Sequence, residues 1–163
     1  MVIRAKTRML LFRYNNYKKN SFIDVHKRVI KQAGFVWMMK IGKRTNIDKI
    51  NDILSDGGLL VLRSPLRDGG GFYLCKFTDV KEILPEQGAN VPDYYTEILN
   101  DEEFYGRDRQ FFKVEWIVPL PEVCANKLVL QLNGKNVNDT IKQTRTAIMF
   151  VVNESEIEID ERE

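Results

Sequence analysis

Aromatic rings and basic groups alternate near the N-terminus of this sequence, and together they could bind a nucleic acid. Gly34-Phe35-Val36-Trp37 follows a basic amphipathic stretch and precedes a second run that is apolar and basic. Rings interleaved with Lys and Arg are typical of proteins that stack a base on an aromatic side chain and place cations beside its phosphates. The pattern predicts that one aromatic ring of this segment holds a base.

The distribution of charge indicates the same kind of partner. Residues 1–44 carry twelve Lys or Arg side chains against Asp24 alone. The last ten residues carry six acidic side chains, which hide much of this basic character within a formal net charge of +2. Without them the chain has 24 basic and 17 acidic residues. A basic body is expected of a domain that meets phosphate, although an ordinary solvated surface gives the same counts.

Patterns of catalytic and metal-binding residues are missing from the sequence. The one histidine, His26, falls in a predicted helix beside basic residues, which favours a helix histidine over a catalytic base. Cys75 and Cys124 are far apart in strand-like segments, so neither a disulfide framework nor a zinc site is expected. The loop at Gly42 lacks the Ser or Thr and the glycine spacing of a phosphate loop. The sequence therefore predicts a binding protein with no catalytic residue, no cofactor and no metal.

The predicted elements alternate between strands and helices over one domain, residues 1–153, with an acidic tail or linker at 154–163. Ser21 can cap a helix over about 22–32 that Gly34 ends, and Asn46 can cap a second, shorter helix. Residues 85–109 read as a long loop with one helical turn. Strands are expected at 8–14, 35–41, 59–63, 72–77, 111–118, 127–132 and 146–152. About seven strands with few helices predict an α/β (α+β) fold, a curved mixed sheet or small β-barrel flanked by helices.

The longest apolar runs are interrupted by charge well before the roughly 20 residues that a transmembrane helix needs. The N-terminus also lacks an apolar segment that ends at a small-residue cleavage site. We therefore expect a cytoplasmic protein that does not bind a membrane.

The order of several segments resembles the YTH domain, a member of the PUA-like group that also contains EVE domains. The resemblance covers roughly residues 9–151 and is strongest at Asn15-Asn16, at Val36-Trp37 and at 112–116. The matching segments are Met9-Leu-Leu-Phe-Arg-Tyr-Asn-Asn16, Gly34-Phe-Val-Trp37, Leu59-Leu-Val-Leu-Arg-Ser64, Gly70-Gly-Phe-Tyr-Leu74 and Phe111-Phe-Lys-Val-Glu-Trp-Ile117. The resemblance implies a PUA-like or YTH-like fold.

YTH domains hold N6-methyladenine in an aromatic cage, so the resemblance implies a reader of modified bases and not an enzyme. Trp37 matches the first cage tryptophan, with the backbone of Met38 beside the methylated amino group. Asn15 matches the asparagine that hydrogen-bonds the edge of the adenine ring. The second cage tryptophan has no counterpart between the fourth strand and the strand at 111. One of four aromatic residues must replace it, with Tyr105 favoured: Tyr94, Tyr95, Phe104 and Tyr105.

The family also runs the backbone of the strand across a basic groove. Arg13 falls where the family carries a basic phosphate contact, and Lys142 or Arg145 lies near the position of another. The other basic residues expected beside phosphates are Lys18, Lys19, Lys40, Lys43 and Arg44.

The resemblance leaves the choice between DNA and RNA open, because the best known YTH domains read RNA. A compact YTH-like module that starts at Met1 and ends in an acidic run also resembles the targeting modules of McrB-type restriction systems. Those modules recognise modified bases in foreign DNA and deliver an attached GTP-driven motor and a nuclease. We therefore expect methylated DNA whose base is flipped into the cage. The alternatives are an N6-methyladenine reader of RNA and a PUA-like protein-interaction domain that binds an acidic partner. An enzyme that acts on nucleotides is a third alternative with less support, because no acid, base or metal cluster accompanies it.

Overall fold

The computed structural model describes residues 1–84, 90–143 and 148–160. Within these residues the chain forms nine strands and five α-helices. The strands are β1 (Val2–Ile3), β2 (Arg8–Arg13), β3 (Val36–Ile41), β4 (Leu59–Arg63), β5 (Phe72–Lys81), β6 (Arg109–Leu120), β7 (Leu128–Leu130), β8 (Ile148–Asn153) and β9 (Ile157–Glu158). The helices are α1 (Phe22–Ala33), α2 (Ile47–Ser55), α3 (Tyr95–Leu99), α4 (Glu122–Ala125) and α5 (Val137–Gln143), with 3-10 turns at Leu66–Asp68 and Glu102–Phe104.

Seven of the strands form a mixed sheet in the order β3-β6-β5-β4-β2-β8-β7, and β1 pairs with β9. The β2 and β4 strands are parallel, whereas β3 with β6, β2 with β8 and β7 with β8 are antiparallel. The predicted α+β class with a mixed sheet is confirmed. Over the described ranges the strand order has two ends, so the sheet does not close into the barrel that was the other expectation. No helix in these ranges is long and apolar enough to cross a membrane.

Helix α1 begins and ends where the sequence predicts. The Ser21 Oγ accepts a hydrogen bond from the Asp24 amide at 3.4 Å, which satisfies one donor of the first turn. Gly34 has φ +90°, a conformation that glycine adopts without strain, and its amide donates to the Ile30 carbonyl at 2.8 Å. The helix buries Phe22, Ile23, His26 and Val29 on one face.

Two expectations about loops and strand ends are wrong. Strand β6 continues past Val118 through Pro119 to Leu120. Pro119 is exposed, and a proline ends a strand only where its missing N–H is needed for the ladder. The segment expected to be a long loop with one helical turn contains both α3 and the 3-10 turn at Glu102–Phe104.

The contacts divide the chain into two compact units. The first unit comprises residues 1–15, 51–75 and the chain from Val118 onward, and the second comprises residues 16–50 and 76–117. In the first unit β2 lies between β4 and β8, and Leu10, Leu11 and Leu60 are buried. In the second unit β3 pairs with β6 and packs against α1.

Part of the expected acidic tail, residues 154–160, is placed within the first unit. Ile157 pairs with Ile3 across β1 and β9, and the N-terminal ammonium of Met1 donates to the Ile159 carbonyl at 2.8 Å. Ile157 and Ile159 are buried, whereas Glu158 between them is exposed. Isoleucine alternating with acidic residues is a strand pattern with one apolar face, and here that face is covered.

Candidate nucleic-acid interface

Trp37 lies on β3, directly opposite Lys113 of β6. Only 7% of the residue is exposed. The Phe35 ring meets the Trp37 ring edge to face, with centroids 6.3 Å apart and planes at 89°. The Lys81 Nζ lies 5.3 Å from the Trp37 centroid, and the Lys113 Nζ lies 4.4 Å from the Phe35 centroid. One lysine ammonium group therefore lies over the Trp37 ring of β3, and another lies over the ring of Phe35, which directly precedes β3.

Trp37 belongs to a buried cluster that continues into α3 and β6. Two of the predicted cage residues, Tyr94 and Tyr95, are in this cluster. The Tyr17 ring stacks on the Tyr94 ring at 5.9 Å and 11°, and the Tyr95 ring meets Tyr94 at 89°. The other members of the buried cluster are Met39, Ile98 and Phe111.

A chain of hydrogen bonds fixes Tyr95 within the cluster. The Met39 amide donates to the Tyr95 hydroxyl oxygen at 2.8 Å, and the Tyr95 hydroxyl hydrogen-bonds His26 Nε2. The His26 Nδ1 bonds to the Phe22 carbonyl at 2.6 Å, so Nδ1 carries the proton and Nε2 accepts from Tyr95. Burial lowers the pKa of His26 to about 4 and raises the pKa of Tyr95 well above its usual value. This network is neutral and fully paired, as expected of a structural support.

The other predicted cage residues have different surroundings. Tyr105 is 58% exposed, and its hydroxyl donates to the Asn100 carbonyl at 3.2 Å. Met38 is fully buried and pairs with Phe112 across β3 and β6. Asn15 is exposed at the end of the first segment of the first unit, whereas Trp37 belongs to the second unit.

The backbone of Trp37 is tied to the end of the segment that precedes α3. The Trp37 amide donates to the Asn90 carbonyl at 2.9 Å, and the Asn90 side-chain amide donates to the Phe35 carbonyl at 3.3 Å. These bonds fix the positions of Phe35 and Trp37 relative to residue 90.

Of the predicted phosphate contacts in the second unit, Lys40 is the one that is buried. It is 5% exposed, and its Nζ donates to the Lys43 carbonyl at 2.7 Å and to the Thr45 hydroxyl at 3.0 Å. Burial lowers the pKa of Lys40 to about 8. Gln110 completes the loop, since its side chain accepts from the Thr45 amide at 2.7 Å and donates to the Thr45 carbonyl at 2.9 Å. Lys40 thus fixes the loop after β3.

The remaining predicted cations are more exposed. Lys18 forms an ion pair with Glu97, which raises its pKa, and Arg44 lies 3.4 Å from Glu82. Lys19 and Lys43 are exposed. In the first unit, the Arg13 Nη2 donates to the Ile141 carbonyl at 2.5 Å. The backbone of Lys142 lies in α5, whereas its side chain and the whole of Arg145 lie outside the described residues.

The sequence did not predict that Lys81 and Lys113 lie over aromatic rings. Lys113 alternates with the buried Phe112 and Val114 on β6, which indicates that it lies on the opposite face of the strand. That its ammonium group lies over the Phe35 ring is seen only in the structure.

Comparison of the chain with protein-family models, with curated proteins and with solved structures gave no significant match. Among the described residues, no three His, Cys, Asp or Glu side chains lie close enough together to hold a metal ion.

Proposed function

We propose that this protein binds a modified base, N6-methyladenine in DNA, with Trp37 as the ring on which the base stacks. The observation that carries the proposal is the Lys81 ammonium group, 5.3 Å from the centroid of the Trp37 ring. Lys81 is exposed, so its side chain can leave the ring and yield that position to a base. The displaced ammonium group would then lie beside the phosphates of the same strand.

The magnitudes favour exchanging Lys81 for a base. A cation–π contact in which the cation is exposed to water, as Lys81 is, contributes about 0.5 to 1 kcal/mol. Stacking of a base on an aromatic side chain contributes about 1 to 3 kcal/mol. The packed surroundings of Trp37 would shield the bound base from water. The base therefore replaces the lysine with a net gain over most of this range.

Recognition of the methyl group depends on how closely a pocket fits it. Burying one methyl contributes roughly 0.8 kcal/mol, and a shaped pocket distinguishes one methyl by about 1 to 3 kcal/mol. We therefore expect about ten- to two-hundred-fold preference for N6-methyladenine over adenine. In duplex DNA the base must first be extruded at a cost of a few kcal/mol, which cations beside the phosphates would offset.

The resemblance to YTH domains supports N6-methyladenine as the base. The resemblance to McrB-type targeting modules favours DNA over RNA. Such modules deliver an attached GTP-driven motor and a nuclease, and we propose the same kind of partners here. The contacts around Trp37 do not depend on the sugar, so DNA and RNA are separate arms of the test.

The test is a titration of the protein into short single-stranded oligonucleotides, followed by fluorescence anisotropy. DNA and RNA are each used with and without one N6-methyladenine, at two salt concentrations. Trp37→Phe keeps a ring in the cluster but reduces the stacking area, and we expect it to weaken binding of the methylated strand about tenfold. Trp37→Ala is a poorer variant, because truncating a buried tryptophan costs about 3 to 5 kcal/mol of stability.

Trp116→Phe is the matched control, since it makes the same chemical change at a half-buried position on β6, away from the Trp37 ring on β3. We expect this variant to bind like the wild type. Equal affinity of wild type and Trp37→Phe for the methylated strand would refute the assignment of Trp37.

A further inference from the structure

Arg63 is a buried cation, and two of its side-chain nitrogen atoms have no hydrogen-bond acceptor among the described residues. It ends β4, in the first unit, and is 7% exposed. Its guanidinium lies 4.6 Å from the centroid of the Phe72 ring. The Nε and Nη1 atoms are buried, and neither donates to any acceptor in the part of the chain that the structure describes. Buried donors nearly always have an acceptor, so two buried nitrogen atoms without one indicate that a ligand supplies it.

Arg63 lines a cleft of about 600 Å³ in the same unit. The cleft is large enough for a small organic ligand. The residues that line it include the glycine turn at 69–71, Phe72, Asn126, Asn136 and Asn138. The side-chain amide of Asn138 donates to the side-chain oxygen of Asn126 at 2.5 Å, and the side-chain amide of Asn136 donates to the backbone carbonyl of Asn126 at 3.1 Å. The asparagine part of the cleft wall is therefore ordered by its own hydrogen bonds.

The glycine turn allows the guanidinium to lie close to the backbone. A Cβ atom at Gly70 would stand 2.7 Å from the Arg63 Nη1, closer than such atoms approach. Gly70 also has φ +63°, which favours glycine. The Ser64 amide donates to the Gly71 carbonyl at 2.9 Å, and the Gly70 amide donates to the Pro65 carbonyl at 3.1 Å, which closes the turn.

A second cation lies beside Arg63. Arg13 ends β2 and pairs with Arg63 across the parallel strands β2 and β4. Burial lowers the pKa of Arg63, and the positive charge of Arg13 lowers it further, whereas Glu122 raises it. Two guanidinium groups at neighbouring strand ends repel each other, and an anion between or beside them removes that repulsion.

We infer that this cleft binds a phosphate group, with the Arg63 guanidinium as its donor. Arginine suits phosphate because its planar N–H groups match phosphate oxygens. Glu122 and Asp139 also line the cleft and are both exposed. Their negative charges oppose a ligand with several phosphates. The cleft therefore favours one phosphate with a polar remainder, as in a nucleoside monophosphate or one linkage of a nucleic-acid strand.

The two sources of phosphate are separated by the choice of probe. Isothermal titration calorimetry would use inorganic phosphate, adenosine 5′-monophosphate and an unmodified single-stranded oligonucleotide. Arg63→Met keeps a long apolar side chain against Phe72 and removes the charge, and we expect about 10- to 100-fold weaker binding of the phosphate-bearing probe. The matched control is Arg67→Met, which makes the same change at an exposed position in the adjacent turn.

A second variant covers the case in which Arg63→Met does not fold. Asn126→Asp keeps the oxygen that accepts from Asn138 and adds a negative charge to the cleft wall, so it should weaken the same probe about tenfold. If the variants lose binding only of inorganic phosphate and the nucleotide, the ligand is a free small molecule. If they lose binding only of the oligonucleotide, the ligand is the phosphate backbone of a nucleic-acid strand. Equal binding by wild type, Arg63→Met and Asn126→Asp overturns the inference, as does binding of none of the probes. The inference stands apart from base binding at Trp37, because each probe is compared between proteins with the same Trp37, so a difference in affinity arises in the cleft.

Discussion

Acidification should destabilise the protein through His26. The imidazole is fully buried, its Nδ1 bonds to the Phe22 carbonyl at 2.6 Å, and its Nε2 accepts from Tyr95. A proton added to Nε2 would meet the Tyr95 hydroxyl hydrogen and would place a charge in an apolar cluster. The charged form is therefore unfavourable in the folded state but not in the unfolded chain.

The sign and size of the effect follow from the two pKa values of His26. Burial holds the pKa at about 4 in the folded protein, against an ordinary value of 6.5. Between these values the unfolded chain binds more protons than the folded protein, so the free energy of unfolding falls as the pH falls. Each pH unit within this window changes it by up to about 1.4 kcal/mol, and the whole window by about 3 kcal/mol. The contribution of neutral His26 to the free energy of unfolding is complete above pH 6.5 and is lost as the pH falls towards 4.

Urea unfolding from pH 4.5 to pH 7.5 measures this dependence. The reference is His26→Gln, which cannot take up a proton but keeps an amide that can donate to the Phe22 carbonyl. We expect the wild type to lose stability more steeply than the variant below pH 6.5. Carboxylates whose pKa is lowered, such as Asp56 and Asp101, act mainly below pH 4 and are common to both proteins. Parallel slopes for wild type and His26→Gln between pH 5 and pH 6.5 would refute the reasoning.

Two further predictions concern the loop after β3. Gln110→Ala should lower the free energy of unfolding by about 3 kcal/mol, because it leaves the buried amide and carbonyl of Thr45 without their partner. Urea unfolding measures this loss. A change below about 0.5 kcal/mol would contradict the prediction. Lys40 has a folded pKa of about 8 against an ordinary 10.5, so the unfolded chain binds more protons between these values and stability from this group rises with pH there. Lys40→Met should remove that rise, and an unchanged pH profile of unfolding between pH 8 and pH 10 would show that Lys40 is not shielded from water.

Local sequence signals were sufficient for the elements whose ends depend on neighbouring residues. Helix α1 follows from Ser21 and Gly34, because a cap and a left-handed glycine act within one turn. Strand β4 follows from a short apolar run that ends at Arg63. The continuation of β6 through Pro119 depends on which of its backbone groups are paired, and that is not a property of the local sequence.

The surroundings of the basic residues were harder to predict. Lys40 looks like the neighbouring exposed lysines in the sequence, but Thr45 and the distant Gln110 enclose it. The sequence does contain a signal for the surroundings of Arg63, because this charged residue ends an apolar run and three glycines follow at 69–71. The position of Lys81 over Trp37 required the structure, because 44 positions separate the two residues and no periodicity connects them.

The most direct test of base binding uses the fluorescence of Trp37 itself. The chain has two tryptophans, so Trp116→Phe leaves Trp37 as the only one. A single-stranded DNA oligonucleotide with one N6-methyladenine is titrated into this variant, and the same strand without the methyl group is the control. Stacking of the base on the ring should quench the Trp37 emission, and the methylated strand should do so at lower concentration. Binding of the methylated strand without any change in Trp37 emission would contradict the proposed function.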